Sequence, residues 1–267
     1  MKDIVKKAWL RASELGAGSG EETRGGDEGG VDVSDLHVDL SAAGVTRSLV
    51  LVALVLVALS FGAGILGLTV GPFVRLFAVG SDLSLPSWYS ALVLMLASIL
   101  LAAIAFAVKA SEIPRYARRW AILAAIFAYL SCDEMLRLHE RMAETLLRPV
   151  LEGIGFVPGG ILYYPWVIVY APLVAVFALA YFGFWRALPT RIRRLFLAAA
   201  AIFVGGAMGV ELFNAYHDDA GGREPLVFVG THVEEILEML GVIVFVYALL
   251  SFIATHLKIA ALRVSFR

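Results

Sequence analysis

A short stretch from Ser131 to Met142, with the sequence SCDEMLRLHERM, places many ionisable side chains directly after an apolar run. That run, Trp120 to Leu130, has about a dozen residues, whereas a helix that crosses a membrane needs about 20. A spanning helix must therefore continue into the polar stretch, where each ionisable residue costs about 2.5–3.5 kcal/mol and is kept only with a partner or a task. The ionisable residues that such a helix would carry are Asp133, Glu134, Arg137, His139, Glu140 and Arg141.

Two later apolar segments, 193–217 and 230–255, also carry acids and histidines near one end. At about 100° per residue, His232 and Glu235 share a helical face, which is the spacing of the Glu-x-x-His pairs of di-metal bundles in the opposite order. Glu211 lies more than a turn inside its segment without a basic neighbour in sequence, so it needs a cation, a metal or a proton. The polar residues at these two ends are Glu211, Asn214, His217, Asp218 and Asp219, and then His232, Glu234, Glu235 and Glu238.

The helical geometry of these segments restricts which side chains can meet. On a regular helix His139 lies about 140° from Glu134 and about 120° from Asp133, so the three bind one ion only if the helix is distorted. Arg137 follows Asp133 at i+4, a spacing that favours an ion pair between them. The same geometry turns Glu234 away from the face of His232 and Glu235 and toward the lipid headgroups.

The composition indicates an all-α, polytopic membrane protein. The chain has 267 residues, of which 60% are hydrophobic, and its mean hydropathy is +0.82, whereas soluble domains are about 45–50% apolar. A single cysteine, Cys132, excludes an internal disulfide framework. The net charge of −1 gives no bulk attraction to nucleic acid.

The hydropathy pattern predicts a six-helix transmembrane bundle over residues 46–256. Residues 1–45 are expected to form a cytoplasmic extension with an amphipathic helix and a Gly-rich acidic linker, and residues 257–267 a short basic tail. Lys and Arg are concentrated between the second and third spans, between the fourth and fifth, and after the sixth, which predicts that both termini are cytoplasmic. The predicted spans are 46–69, 87–109, 117–141, 163–186, 193–217 and 230–255.

With this topology, the polar ends of spans three, five and six all lie in the outer leaflet. Crowded carboxylates repel one another, and a bound cation relieves that repulsion. Mixed carboxylate and imidazole ligands suit Fe, Mn or Zn, and the number of acids allows one or two ions. The predicted catalytic residues are Asp133, Glu134 and Glu140, and the predicted metal ligands are His139, Glu211, His232, Glu235 and Glu238.

These residues predict a membrane metalloprotein, a metal-dependent hydrolase or oxidoreductase that acts on a lipid or another apolar small molecule in a bacterial inner membrane. The residues leave hydrolysis and oxidation open. Two alternatives use the same side chains. One is a transporter coupled to protons or cations. The other is a structural or accessory subunit whose acids and arginines form only a buried ion-pair network.

Two segments, SCDEMLRLHERM and HVEEILEMLG, resemble a pattern in uncharacterised bacterial multi-pass membrane proteins. In that pattern one helix ends in Asp-Glu with His-Glu a few residues on, and a later helix opens with Glu-Glu-x-Leu-Glu-Met-x-Gly. The resemblance implies membership of such a family and implies no activity. The matching positions are Asp133, Glu134, His139, Glu140, Glu234, Glu235, Glu238, Met239 and Gly241.

In the kinds of residue present, the chain is also similar to the alkaline ceramidase-like membrane hydrolases. Their zinc site is built from three histidines and an aspartate with a nearby serine, on a fold of seven spans, and their histidine spacing differs from the one in this chain. By that analogy the corresponding residues would be Ser131, Asp133, His139, His217 and His232.

Overall fold

The computed structural model describes residues 41–65, 76–79, 84–110, 114–221 and 224–257. Within these ranges the chain is helical and contains no strand, which confirms the predicted all-α class. The predicted N-terminal amphipathic helix and Gly-rich linker, and all but the first residue of the basic tail, lie outside the described residues.

Nine α-helices follow one another along the described chain. Short π-helical turns at Ala143–Leu147 and Gly205–Val210 join α4 to α5 and α7 to α8, and a third at Ile253–Leu257 extends α9. The helices are α1 (Ala42–Ile65), α2 (Leu85–Ala110), α3 (Ala117–Leu136), α4 (Leu138–Met142), α5 (Arg148–Gly153), α6 (Trp166–Ala187), α7 (Thr190–Val204), α8 (Glu211–Asp219) and α9 (Glu224–Phe252).

Five of the helical stretches in the described ranges are long and apolar enough to cross a membrane. They are Ala42–Ile65, Leu85–Ala110, Trp166–Ala187, Thr190–Asp219 and Pro225–Leu257. The predicted third span is not among them, because the 20 residues of α3 include two arginines, an aspartate and a glutamate. The length and apolar character of these five helices indicate that the chain is a multi-pass membrane protein.

Hydrogen bonds from buried serines tie α3 to α2. Ser98 donates to the carbonyl of Ala124 (2.8 Å), and Ser131 donates to the carbonyl of Ala91 (2.7 Å). The two bonds lie about two helical turns apart, so they hold α3 alongside α2 over much of its length. The polar end of α3 is thereby fixed against the first turns of α2.

An aromatic cluster around Trp120 forms one end of the apolar core, which extends along the bundle to Val93 and Met239. Trp120, which is 1% exposed, begins α3 and contacts the rings of Phe184, Phe196 and Phe252 at centroid distances of 4.9, 6.1 and 5.1 Å. Edge-to-face packing of this kind adds to the hydrophobic stabilisation. Since α3 starts and α9 ends in this cluster, the acids of α3 lie at the far end of that helix and those of α9 lie near its middle.

Two glycines allow α9 to approach the chain around the end of α7. A Cβ built on Gly241 would lie 2.7 Å from the backbone nitrogen of Phe203, and one on Gly206 would lie 2.8 Å from the Cβ of Leu237. Real Cβ atoms do not come this close to such neighbours, so only glycine fits at both positions. This close approach fixes the position of the acidic part of α9.

We expect Gly241→Ala to destabilise the bundle by about 1–3 kcal/mol, because the added methyl group meets backbone atoms that cannot rotate away. Thermal unfolding in detergent measures the effect as a lower Tm. The matched control is Gly183→Ala in α6, where a Cβ meets nothing within 4 Å and helix propensity favours alanine. Equal Tm values for the two variants would contradict the close approach.

Candidate carboxylate site

Three carboxylates from two helices meet at the polar end of the bundle. Glu134 of α3 and Glu235 and Glu238 of α9 each offer an oxygen, and these oxygens all lie within 4.8 Å of one another. In the part of the chain that the structure describes, this is the one group of three or more His, Cys, Asp or Glu side chains that is so close. It unites a predicted catalytic residue, Glu134, with two predicted metal ligands.

A small cavity of about 10 Å³ lies beside this group. Glu134 and Glu238 line it, together with Ser90 of α2 and Phe203 of α7. The remaining lining residues are Tyr89, Val93, Leu94, Met239 and Val242. The cavity therefore has one polar side, made by two carboxylates and a hydroxyl, and is otherwise mostly apolar.

The helix that carries Glu134 breaks at Arg137. This residue has φ 48° and ψ 48°, which is the left-handed conformation that non-glycine residues rarely adopt. The prediction of one continuous helix to residue 141 is therefore wrong, since α3 ends at Leu136 and α4 begins at Leu138.

The break brings His139 onto Asp133, which a regular helix would keep apart. Both Asp133 oxygens are used: Oδ1 accepts from the backbone N–H of His139 (2.8 Å), and Oδ2 lies 2.6 Å from His139 Nδ1. A carboxylate accepts, so Nδ1 carries the proton. In metal sites a ligating histidine commonly donates its other N–H to a carboxylate in this way, which leaves Nε2 for the ion.

Arg137 pairs with Glu140, whose oxygen accepts from its guanidinium at 2.7 Å. Its charge also acts on Glu134, as do the charges of Glu140 and Glu235. His139 Nε2 lies 3.8 Å from the Glu140 carboxylate. Asp133 and Glu140 thus act on Glu134 from the α3 side, while the predicted roles of Asp133, Glu140 and His139 in catalysis and metal binding stay predictions.

Glu234 belongs to this polar region, and the prediction that it points to the headgroups is wrong. Its Oε2 accepts from Asn214 Nδ2 (2.8 Å), and its carboxyl group interacts electrostatically with that of Glu211. Glu211 in turn accepts from the indole of Trp166 (3.1 Å). The sequence held the signal, because Glu234 and Glu238 lie four residues apart and share a helical face.

His232 is placed with α1 and is not part of the three-carboxylate group. Its Nδ1 lies 2.8 Å from the carbonyl of Phe228, which can only accept, and its Nε2 lies 3.0 Å from Ser60 Oγ. Both ring nitrogens are therefore used, and the predicted chelate of His232 with Glu235 is not formed in this arrangement. Its role as a metal ligand stays a prediction.

The three histidines of the zinc-hydrolase analogy do not meet. His139 bonds Asp133, His232 bonds Ser60, and His217 packs against the rings of Phe213 and Tyr216 at 4.4 and 5.5 Å. The serine of that analogy is occupied by its bond to a backbone carbonyl. The arrangement gives no support to a site with three histidines.

The acids at the end of α8 hold the loop that precedes α6. Asp218 accepts from the hydroxyl of Tyr164 (2.7 Å), and Asp219 accepts from the backbone N–H of Gly160 (2.6 Å). Burial and then the bond to Asp218 raise the pKa of Tyr164 above its ordinary value, so it remains a neutral donor. These contacts close the bundle next to Trp166 and Glu211.

The fold and this site define a class: multi-pass helical membrane proteins with clustered carboxylates inside an apolar bundle. The chain belongs to the family described as a domain of unknown function (DUF8692), whose family model matches residues 48–253. The predicted resemblance to an uncharacterised family without an assigned activity is confirmed. No curated protein and no solved structure matches the chain.

We expect Asp133→Ala to lower the stability by about 3 kcal/mol, because the side chain holds the strained turn through two bonds to His139. Thermal unfolding in detergent measures the loss. Cys132→Ala is the matched control, since Cys132 is the adjacent residue and is exposed. If the two variants unfold at the same temperature, Asp133 does not stabilise the break.

Proposed function

We propose that this protein is an integral membrane metalloprotein in which Glu134, Glu235 and Glu238 bind a divalent or trivalent cation. The observation that carries the proposal is the approach of their oxygens to within 4.8 Å. Two full charges at about 4 Å repel by about 4 kcal/mol at an effective dielectric of 20, so a cation among them gains strongly from its charge alone. Fe, Mn and Zn suit carboxylates with a nearby imidazole.

The group has more neighbouring carboxylates than a single ion needs as ligands. The site therefore provides ligands for one or two ions. The electrostatic neighbours of Glu238 are Glu134, Glu235, Glu211 and Glu140. His139, with its Nδ1 proton held by Asp133, is the imidazole best prepared to join. Glu211 interacts electrostatically with Glu234 and belongs to the side of the site formed by α8.

The reaction that such a site supports is a metal-dependent hydrolysis or oxidation of a lipid or another apolar molecule that enters from the membrane. A bound cation supplies Lewis acidity and lowers the pKa of water. A carboxylate that does not ligate the ion would take up the proton, and Glu140, with about a third of its side chain exposed, is placed for that exchange. The apolar surfaces of the crossing helices suit an apolar substrate.

A proton-handling site, as in a proton-coupled transporter, is the second candidate. It is favoured by the electrostatic interaction between Glu211 and Glu234, because carboxylates that lie close together favour the binding of a proton by one of them. In that case the same acids would hold protons where the first proposal has a cation.

For the topology, we propose that α3 also crosses the membrane and brings the number of spans to six, with both termini cytoplasmic and the carboxylate site in the outer leaflet. The basic loops around Arg118 and Arg193 would then face the cytoplasm, according to the positive-inside rule. The antiparallel order of α2 and α3, held by two serine bonds, supports the crossing of α3.

We expect the purified full chain to bind about one Fe, Mn or Zn ion per molecule, and Glu235→Gln/Glu238→Gln to lower the bound metal at least tenfold. Glutamine keeps the side-chain volume and removes the charge that holds the ion. Metal content by mass spectrometry after loading in detergent measures the change. Bound metal should also raise the Tm of the native chain and leave that of the double variant unchanged.

Glu144→Gln/Glu152→Gln is the control for this experiment, because it removes two acids that are exposed and lie outside the group. It should bind metal as the native chain does. A folded native chain that binds none of the three metals would overturn the metal site and leave the proton-handling candidate. Equal binding by both double variants would move the site away from α9.

The topology predicts opposite labelling of two single cysteines introduced on a Cys132→Ser background. Glu152→Cys, near the end of α5, should react with a membrane-impermeant maleimide in intact cells, and Thr190→Cys, at the start of α7, should not. Both positions are exposed, so both should react after detergent is added. The reverse pattern in intact cells would place the site in the inner leaflet.

A further inference from the structure

Ser90 in α2 is a buried polar residue whose hydroxyl makes no bond within the protein. Its exposed fraction is 6%, and Oγ has no hydrogen-bond partner. An unsatisfied buried hydroxyl costs about 1–3 kcal/mol, so such a group points to a missing ligand. Ser98, two turns along the same helix and equally buried, donates to the carbonyl of Ala124. The difference lies in what each serine faces.

Ser90 faces the small cavity that it shares with Glu134 and Glu238. The cavity volume of about 10 Å³ matches the space that one water molecule needs, which is about 10–15 Å³. A buried water typically makes about three hydrogen bonds. The hydroxyl and the two carboxylates provide that number, and the other lining residues are mostly apolar.

We propose that this cavity holds one water molecule, positioned by Ser90, as an exchangeable ligand of the cation at Glu134, Glu235 and Glu238. The inference rests on the proposed metal site and deepens it. A water molecule has two protons and two lone pairs. The two carboxylates accept the protons, Ser90 donates to one lone pair, and the other lone pair is left for the cation.

The presence of this water distinguishes a catalytic metal site from a structural one. Structural sites are closed by protein ligands, whereas catalytic sites keep a position for water or substrate. An ion with a water held next to carboxylates has the arrangement that hydrolysis requires, because the ion lowers the pKa of the water and a carboxylate receives its proton. Ser90 is then a positioning residue that acts on the water rather than on the substrate.

The test uses the full chain loaded with Mn²⁺ in detergent, with Ser90→Ala compared with the matched variant Ser98→Ala. Pulsed electron-nuclear double resonance in D₂O detects exchangeable deuterons of water bound to Mn²⁺. The native chain and Ser98→Ala should show these deuterons. Ser90→Ala should lose them or show a clearly changed coupling, and its Kd for Mn²⁺ should rise several-fold. Ser90→Cys, which keeps the volume, should give a weaker form of the same change.

The possible results separate this inference from the proposed function. If Mn²⁺ binds and the deuteron signals are the same in the native chain and in Ser90→Ala, the water is not held by Ser90, while the metal site stands. If the native chain binds no Mn²⁺ and also none of Fe or Zn, both proposals are overturned. If Ser90→Ala does not fold, Ser90→Cys decides in its place.

Discussion

Mutual repulsion among half-buried carboxylates is the interaction on which the polar half of this bundle depends. Glu134, Glu235 and Glu238 are brought together on two helices, and each pair of full charges at this distance would cost several kcal/mol in a medium of intermediate dielectric. Arg137 lies close enough to act on the group, but it also pairs with Glu140. A cation or bound protons at this point would reduce the repulsion that remains.

The geometry that creates this charge density comes from close backbone packing and from one strained turn. Gly206 and Gly241 let α9 approach the end of α7, which sets the position of the acids on α9. On α3, the left-handed conformation of Arg137 costs about 1–2 kcal/mol for a residue with a Cβ. Asp133 compensates for that cost through its two bonds to His139. Local strain next to clustered acids is typical of functional sites, since a regular helix would have had a lower conformational free energy.

The two ends of the bundle differ in the side chains that they bring together. At one end, Trp120 and the rings around it form a dry core that holds the helices together without polar groups. At the other end, α2, α3, α8 and α9 enclose acids, a histidine and the small cavity beside Ser90. The aromatic cluster and the acids thus occupy different parts of the bundle, joined by apolar residues such as Met239 and Val93.

The sequence by itself determined the helical membrane class, the apolar segments and the convergence of acids from separate helices, because hydropathy and helical periodicity are properties of local sequence. It also indicated that the polar residues of 131–142 cannot all face one ion on a regular helix. Only the tertiary structure decided that the helix breaks at Arg137, that Glu234 faces Glu211, and that His232 turns to Ser60. Each of these depends on which helix lies opposite a given face. That choice is made by packing between distant segments, such as the approach of α9 to α7, and periodicity within one helix does not contain it.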